Sequence, residues 1–316
     1  VNVNTSQPLD HNVSSVISKR LAKSYKRNIK ERIIELLLML CALSAVLITL
    51  SIVWILIDES ISFFEHVSLV DFFTDTQWTP LFEDAHFGIM PLLSGTITTS
   101  VVALVFAIPV GTIAAIYLSE FASHNVRETI KPILELLAGV PTIAFGYFAL
   151  LLVTPLLQKV FPTLPSFNML GAGIVIGIMV VPYIASISED AMRSVPMSMR
   201  EGSYAMGATR FQTAMRVVTP AAISGIVAAY ILAISRAVGE TMVVAIAAGQ
   251  QANLTFNPMD SAATITAYIV QVAMGDLPHG SIGYQSIFAA GLVLMLMTLF
   301  FNVLGHFTRK KFREAY

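Results

Sequence analysis

Six apolar runs, each near or above the roughly 20 residues a helix needs to cross a bilayer, constrain this chain first. They run from about Ile33 to Ile57, Leu92 to Leu118, Pro132 to Val153, Met169 to Ile187, Ala221 to Gly249 and Gln285 to Leu304. Backbone polar groups in hydrocarbon must be satisfied internally, so runs of this length become helices. Of the 316 residues, 55% are apolar and 12% charged, where a soluble domain carries roughly twice that charge. The mean hydropathy of +0.73 agrees. The expected fold class is an all-α polytopic membrane protein with six transmembrane helices. A seventh apolar stretch, Ala262 to Met274, is too short to cross and reads as an interfacial or re-entrant helix.

Charge placement sets the topology. Lys and Arg number 19, and seventeen of them fall in four segments that the six spans put on one side (7, 2, 4 and 4). One more, Lys159, falls on the other side, and the last is Arg236, inside a span. The positive-inside rule therefore places both termini in the cytoplasm. The opposite loops sum to −8, from seven acidic residues between Asp58 and Pro91, Asp260, Asp276 and Lys159. That field repels anions. Residues 1–32 are a basic cytoplasmic tail, 33–57 the first helix, 58–91 an external loop whose Trp78 and Phe residues suit the membrane interface. Residues 92–305 form the core, with a cytoplasmic loop at 189–220, and 306–316 close the chain inside the cell. The first run is too long for a signal-peptide core and reads as a retained span. The single cysteine, Cys41, leaves no disulfide or cysteine metal site within the chain and reads as a small apolar residue. Gly173 and Gly177 form a small-xxx-small pair suited to close helix packing. Pro141 marks a kink that faces protein or cavity rather than lipid.

Two stretches carry candidate function. The run Ala221 to Gly249, read as one helix, bears Arg236 and Glu240 in its middle. Charge at bilayer depth costs about 2.5 to 3.5 kcal/mol on insertion scales and marks function by default. Four residues apart, the two share one helix face within contact reach. One reading is a self-neutralising structural ion pair. The other is a binding site for an oxyanion, since a guanidinium grips such groups with parallel charge-assisted bonds. Glu240 then holds the guanidinium until the solute arrives, or accepts a bond from a protonated solute oxygen. Thr96, Thr99, Ser100, Thr142 and Thr241 are available to supply hydroxyls to such a path, or to bond backbone within their own helices.

The second stretch is Glu189 to Pro220. It predicts a helix from Ser198, a turn near Gly207-Ala208-Thr209 where glycine supplies backbone freedom, and a second helix. Glu201, Gly202, Ser203, Gly207, Ala208 and Pro220 carry a Glu, Gly, apolar-x-x-Pro spacing that is similar to the EAA loop of ABC-transporter permeases. The resemblance implies that this helix docks in a cleft on a cytoplasmic ATPase. Gly202 and Ser203 stand where the consensus has two alanines, and Val217 and Thr219 replace the usual Ile and Leu. The chain has no G-x-x-x-x-G-K-[ST] phosphate loop, so no cofactor is expected on it, with ATP and Mg on the partner ATPase.

A broader resemblance runs from Trp78 onward. Phe87-Gly88-Ile89, Ala107-Ile108-Pro109-Val110-Gly111, Ala115-Ile116-Tyr117-Leu118-Ser119-Glu120, Ala138-Gly139-Val140-Pro141-Thr142, Pro182-Tyr183-Ile184-Ala185, Val195-Pro196 and Ser235-Arg236-Ala237-Val238-Gly239-Glu240-Thr241 carry it. The chain resembles the C-type permeases of bacterial phosphate-specific transport (Pst) systems. This implies a type I ABC importer (MetI-like) fold in the bacterial inner membrane and no catalysis by the chain itself. It also implies a second homologous permease, a dimeric cytoplasmic ATPase and an external phosphate-binding protein as partners. Thr241 after the Glu favours phosphate over sulfate- and molybdate-type permeases, where Phe is common. The alternatives are another oxyanion importer, or an ion-coupled secondary carrier working without an ATPase. Scattered histidines argue against a membrane enzyme, and the attached span against a nucleic-acid partner.

Overall fold

A computed structural model describes residues 10–80, 82 and 84–311, with side chains described from 30 to 308 apart from 276 and the two gaps. Expectations for residues 1–9 and 312–316 lie outside the described residues. Two compact units divide the chain, Val1–Ile55 and Leu56–Tyr316. The first unit belongs to α1, Asp10–Phe64. No glycine or proline occurs in this range, so nothing stops the helix where the basic tail meets the apolar run. From Asp10 on, tail and first span, expected as separate elements, are therefore one helix.

In the second unit, the short α2 (Leu69–Thr74) is capped by Ser68 and leads to a bridge between Trp78 and Phe87. Trp78, expected to suit the membrane interface, is packed inside the protein and 5% exposed. It stacks edge-on to Tyr268 at 5.0 Å and to Phe87 at 6.1 Å, while Phe63 and Phe72 complete the cluster. Edge-to-face rings add to area burial, which outweighs the indole's affinity for a headgroup layer.

The core pairs α3 (Met90–Ile116) with α7 (Met169–Arg193). A π-turn at Tyr117–Phe121 ends α3. Close approach explains the glycine pair on α7. A Cβ at Gly173 would lie 2.6 Å from Val102 Cγ1, and one at Gly177 would lie 2.8 Å from the Ala103 carbonyl. Between these helices in sequence come α4 (His124–Ala138), α5 (Thr142–Phe148) and α6 (Thr154–Val160), with a π-turn at Ala149–Val153 joining the last two. The third span therefore begins at Thr142, not Pro132. Pro141 disfavours helical backbone at Val140, and α4, which has no fully buried residue, is a separate amphipathic helix.

Beyond α7 come α8 (Met197–Ala205), α9 (Arg210–Thr213), a π-turn at Ala214–Val218, α10 (Thr219–Ala221) and α11 (Ile223–Val238). The chain bends by 72° between the α9–α10 segment and α11. Then follow α12 (Met242–Ala247), α13 (Ile265–Gln271) and α14 (Ile282–Lys311). Five helices among the described residues are long and apolar enough to cross a membrane, or six counting the bent pair as one span. The apolar stretch expected to be too short to cross is α13 with its following π-turn, Ile265–Gly275. Its first backbone N–H groups are taken up by side chains. Thr96 Oγ1 accepts from Ile265 N at 3.0 Å and Thr264 Oγ1 accepts from Ala267 N at 3.2 Å.

Gly177→Ala should destabilise the α3–α7 contact by about 1–3 kcal/mol, as overpacking does, and lower the thermal unfolding midpoint in detergent. Gly202→Ala, where a Cβ meets nothing within 4 Å, should not.

Candidate functional site

The run Ala221 to Gly249 is two helices rather than one. Gly239 ends α11, its N–H bonded to the Ser235 carbonyl at 3.2 Å. Glu240 lies just ahead of α12, and its Oε1 accepts from Met242 N at 3.1 Å and from Val243 N at 3.4 Å. A helix start leaves four backbone donors without intrahelical partners, and a carboxylate there is favoured by the dipole as well. The Glu240 carbonyl, freed by the break, accepts from Thr266 Oγ1 at 2.7 Å. Glu240 is 7% exposed.

This use of Glu240 undoes the ion pair that spacing predicts. Arg236 and Glu240 do not bond, because the helix that would align them stops between them. Arg236 lies in the last turn of α11, about 20 Å of helical rise from Ile223, where carbonyl ends favour a cation. Its guanidinium carbon sits 4.4 Å from the Tyr183 ring centroid. No hydrogen bond or ion pair engages it among the described residues, and its Nε is buried without a partner. The contact with the ring uses none of the guanidinium N–H donors. Tyr183, on α7, donates its hydroxyl to the Ala138 carbonyl at 3.3 Å, so the stack joins α11, α7 and the end of α4.

The candidate hydroxyls divide. Thr96, Thr99 and Ser100 are buried and bond the carbonyls four residues back, at 2.8, 2.8 and 2.7 Å. The Thr99 and Ser100 hydroxyls serve their own helix, and Thr96 Oγ1 also accepts from Ile265 N at the start of α13. Thr241 donates to the Gly239 carbonyl at 3.2 Å, within the break. Thr142 opens α5, which packs on α12: a Cβ at Gly146 would lie 3.2 Å from the Met242 carbonyl.

The segment Glu189 to Pro220 has the helix–turn–helix form its pattern predicts. Its first residues still belong to α7, where Glu189 is fully buried and meets Lys131 at 2.9 Å and Arg193 at 3.6 Å. Burial works against the Lys131 charge, but its bonds to Asp190 and Glu189 outweigh this and raise its pKa. Then α8 runs to a turn at Gly207, whose φ of +83 favours glycine. Thr209 and Gln212 form a capping box at α9, and Ser203 and Thr213 hydroxyls meet at 2.9 Å. Glu201, Gly202, Gly207 and Pro220 are all exposed, with Met206 88% and Phe211 63% exposed beside them.

The sequence profile of the family described as "Binding-protein-dependent transport system inner membrane component" matches residues 107–314. The chain belongs to that family. The probable ABC transporter permease protein YqgH of Bacillus subtilis is 33% identical over 291 residues, covering 91% of this chain and 94% of the relative. Phosphate transport system permease protein PstC 1 of Mycobacterium tuberculosis is 34% identical over 270 residues, covering 73% and 79%. PstC of Haemophilus influenzae is 29% identical, covering 87% and 92%. Among solved structures, a permease chain of a bacterial alginate ABC transporter matches with a TM-score of 0.59 at 16% identity, over 93% of this chain and 100% of its own. The inward-facing MetNI methionine transporter matches at 0.52 and 19%, over 72% and 95%. These two share the fold. The protein is thus a multi-pass inner-membrane permease subunit of an ABC importer, with no catalysis of its own.

Sequence reasoning passed over three pairings in the permease: Tyr183 under Arg236, Lys131 with Glu189, and Arg200 with Glu120 at 3.0 Å. The last two join residues 58 and 80 positions apart, a separation that no local pattern encodes. For Tyr183 the signal was an aromatic inside a quoted motif, without a partner to assign. Glu240→Gln keeps an oxygen to cap α12 and should leave the unfolding midpoint near that of the parent. Glu240→Ala should cost about 1 kcal/mol, the usual loss of a helix cap.

Proposed function

We propose that the permease carries inorganic phosphate, and that Arg236 receives it. The observation that carries this reading is a guanidinium over the Tyr183 ring that no hydrogen bond or ion pair engages among the described residues. A tetrahedral oxyanion offers its N–H donors two acceptors in one plane. Cation–π contact is worth about 0.5–2 kcal/mol and need not be given up, because it uses none of the N–H donors that the anion would take. The kinship with proteins named as phosphate permeases supports phosphate among the oxyanions. Glu240 sits at α12 as a cap, close in sequence yet not neutralising the cation, and repels any anion that drifts past the guanidinium. Thr241 and Thr142 flank the break and remain part of the proposed path; Thr96, Thr99 and Ser100 do not.

Under this reading a second homologous permease supplies the other wall, and an external phosphate-binding protein delivers the solute past the anionic outer loops. A dimeric cytoplasmic ATPase, carrying ATP and Mg, receives α8. The support for that docking is an exposed helix with Met206 and Phe211 at its turn and with no Cβ neighbour at Gly202 or Gly207. Such a surface fits a cleft. Glu201, Ser203, Ala208 and Pro220 belong to the same element.

Reconstitution in proteoliposomes with labelled inorganic phosphate tests the reading. Arg236→Ala should lower uptake at least tenfold, the equivalent of roughly 1.5–3 kcal/mol for a charge-assisted bond. Arg236→Lys, a point charge without the fork, should recover only part. Parent-level uptake by Arg236→Ala would sink the assignment, and uptake without ATPase would favour an ion-coupled carrier.

A further inference from the structure

Arg200 is the residue of α8 that points inward. It is 9% exposed, and its guanidinium reaches acceptors on two other elements. Nη2 donates to Glu120 Oε1 at 3.0 Å and to the Met192 carbonyl at 2.8 Å. Nη1 donates to the Val195 carbonyl at 2.5 Å, and Nε to Glu120 Oε2 at 3.5 Å. Glu120 belongs to the π-turn that ends α3, and Ser119 Oγ donates to its Oε1 at 2.9 Å. Met192 and Val195 bracket the end of α7. One side chain thus ties α8 to the two helices that form the core pair.

Stability alone does not call for this arrangement. A buried ion pair is often no better for folding than apolar side chains of similar volume. What the fork adds is direction. Apolar contact is non-directional and lets one helix slide on another, whereas a planar guanidinium with both its carboxylate and carbonyl partners fixes position and rotation. Motion of α8 then cannot be absorbed in the short connection at Ser194–Pro196. It passes to α7, which carries Tyr183 and with it the stack under Arg236. The Lys131 bonds to Glu189 and Asp190 bring α4 along, and α4 ends at the carbonyl that Tyr183 bonds.

We propose that Arg200 and Glu120 are positioning residues forming a rigid joint, through which displacement of α8 moves α3 and α7 together. This rests on the reading of α8 as the ATPase-docking helix.

The test uses the assembled transporter, with partner permease, ATPase and binding protein, in proteoliposomes. It reads phosphate moved per ATP hydrolysed, retention of the ATPase on purification, and the unfolding midpoint. Glu120→Leu with Arg200→Met keeps volume and removes direction. It should retain the ATPase and fold, while phosphate per ATP falls roughly tenfold, within the range of coupling changes seen along such networks. Arg200→Lys should fall part of the way. A parent-level ratio in the double variant overturns the joint, as does loss of the ATPase, because the pair would then act on docking. Should the double variant fail to fold, a parent-level ratio in Arg200→Lys overturns it and a reduced ratio supports it. Glu201→Ala reports on docking separately. If that variant keeps both the ATPase and parent uptake, the docking role of α8 falls, whatever the joint variants do.

Discussion

The break between Val238 and Met242 is the constraint on which the membrane-embedded half depends. A continuous helix would bring Arg236 and Glu240 together on one face, and two opposite charges in contact would cancel each other. Interrupting the helix gives each charge a different compensation. Glu240 is spent on the first N–H groups of α12, and Arg236 lies at the carbonyl end of α11. Helix ends of opposite sign thus stabilise opposite charges without joining them. The guanidinium keeps its donors. Irregular backbone at membrane depth is tolerated only where protein or a cavity encloses it; here Thr266 takes the freed Glu240 carbonyl and α5 packs against the start of α12.

The second unit is held differently at its two ends. Near Trp78, rings of Phe63, Phe72, Phe87 and Tyr268 meet edge-on, an arrangement with area and shape but little directional force. At the far end of α7, Lys131 with Glu189 and Arg200 with Glu120 form buried or half-buried ion pairs. Desolvating such groups is expensive, and only good geometry with further hydrogen bonds offsets it. For Arg200 that geometry is present: the Met192 and Val195 carbonyls take two further donors beside the two given to Glu120. The α3 helix connects these ends, from Leu92 in the aromatic cluster to the π-turn that bears Glu120, and the glycines of α7 bring the two helices to backbone contact. A helix so closely packed moves as a unit.

How much of this was readable in advance follows from how local each signal is. Gly207 needed only the pattern around it, and its positive φ lies where the turn was expected. Gly173 and Gly177 announced close packing without naming the partner. The start of α5 was missed because Pro132 opens an apolar run, while Gly139-Val140-Pro141 ends one helix and begins another. The break at Gly239 had a comparable local signal, Gly-Glu-Thr ahead of an apolar stretch, but an uninterrupted run of hydrophobic residues on both sides masked it. The packing of Trp78 among rings was not legible because an indole facing a headgroup layer and an indole in an aromatic core look identical in one dimension.

Run lengths determined by themselves that this chain crosses a membrane several times, and the placement of basic residues gave the orientation to expect, because transfer free energy and charge depend on residue type alone. The residues of the Arg236 and Glu201 stretches were legible for the same reason: a charge inside an apolar run and a polar segment between spans stand out by composition. Whether Arg236 bonds Glu240 or stacks on Tyr183, and which side chain anchors α8, only the tertiary structure decided. Those outcomes hinge on which backbone donors lack partners once helices end and pack, and that count exists only in three dimensions.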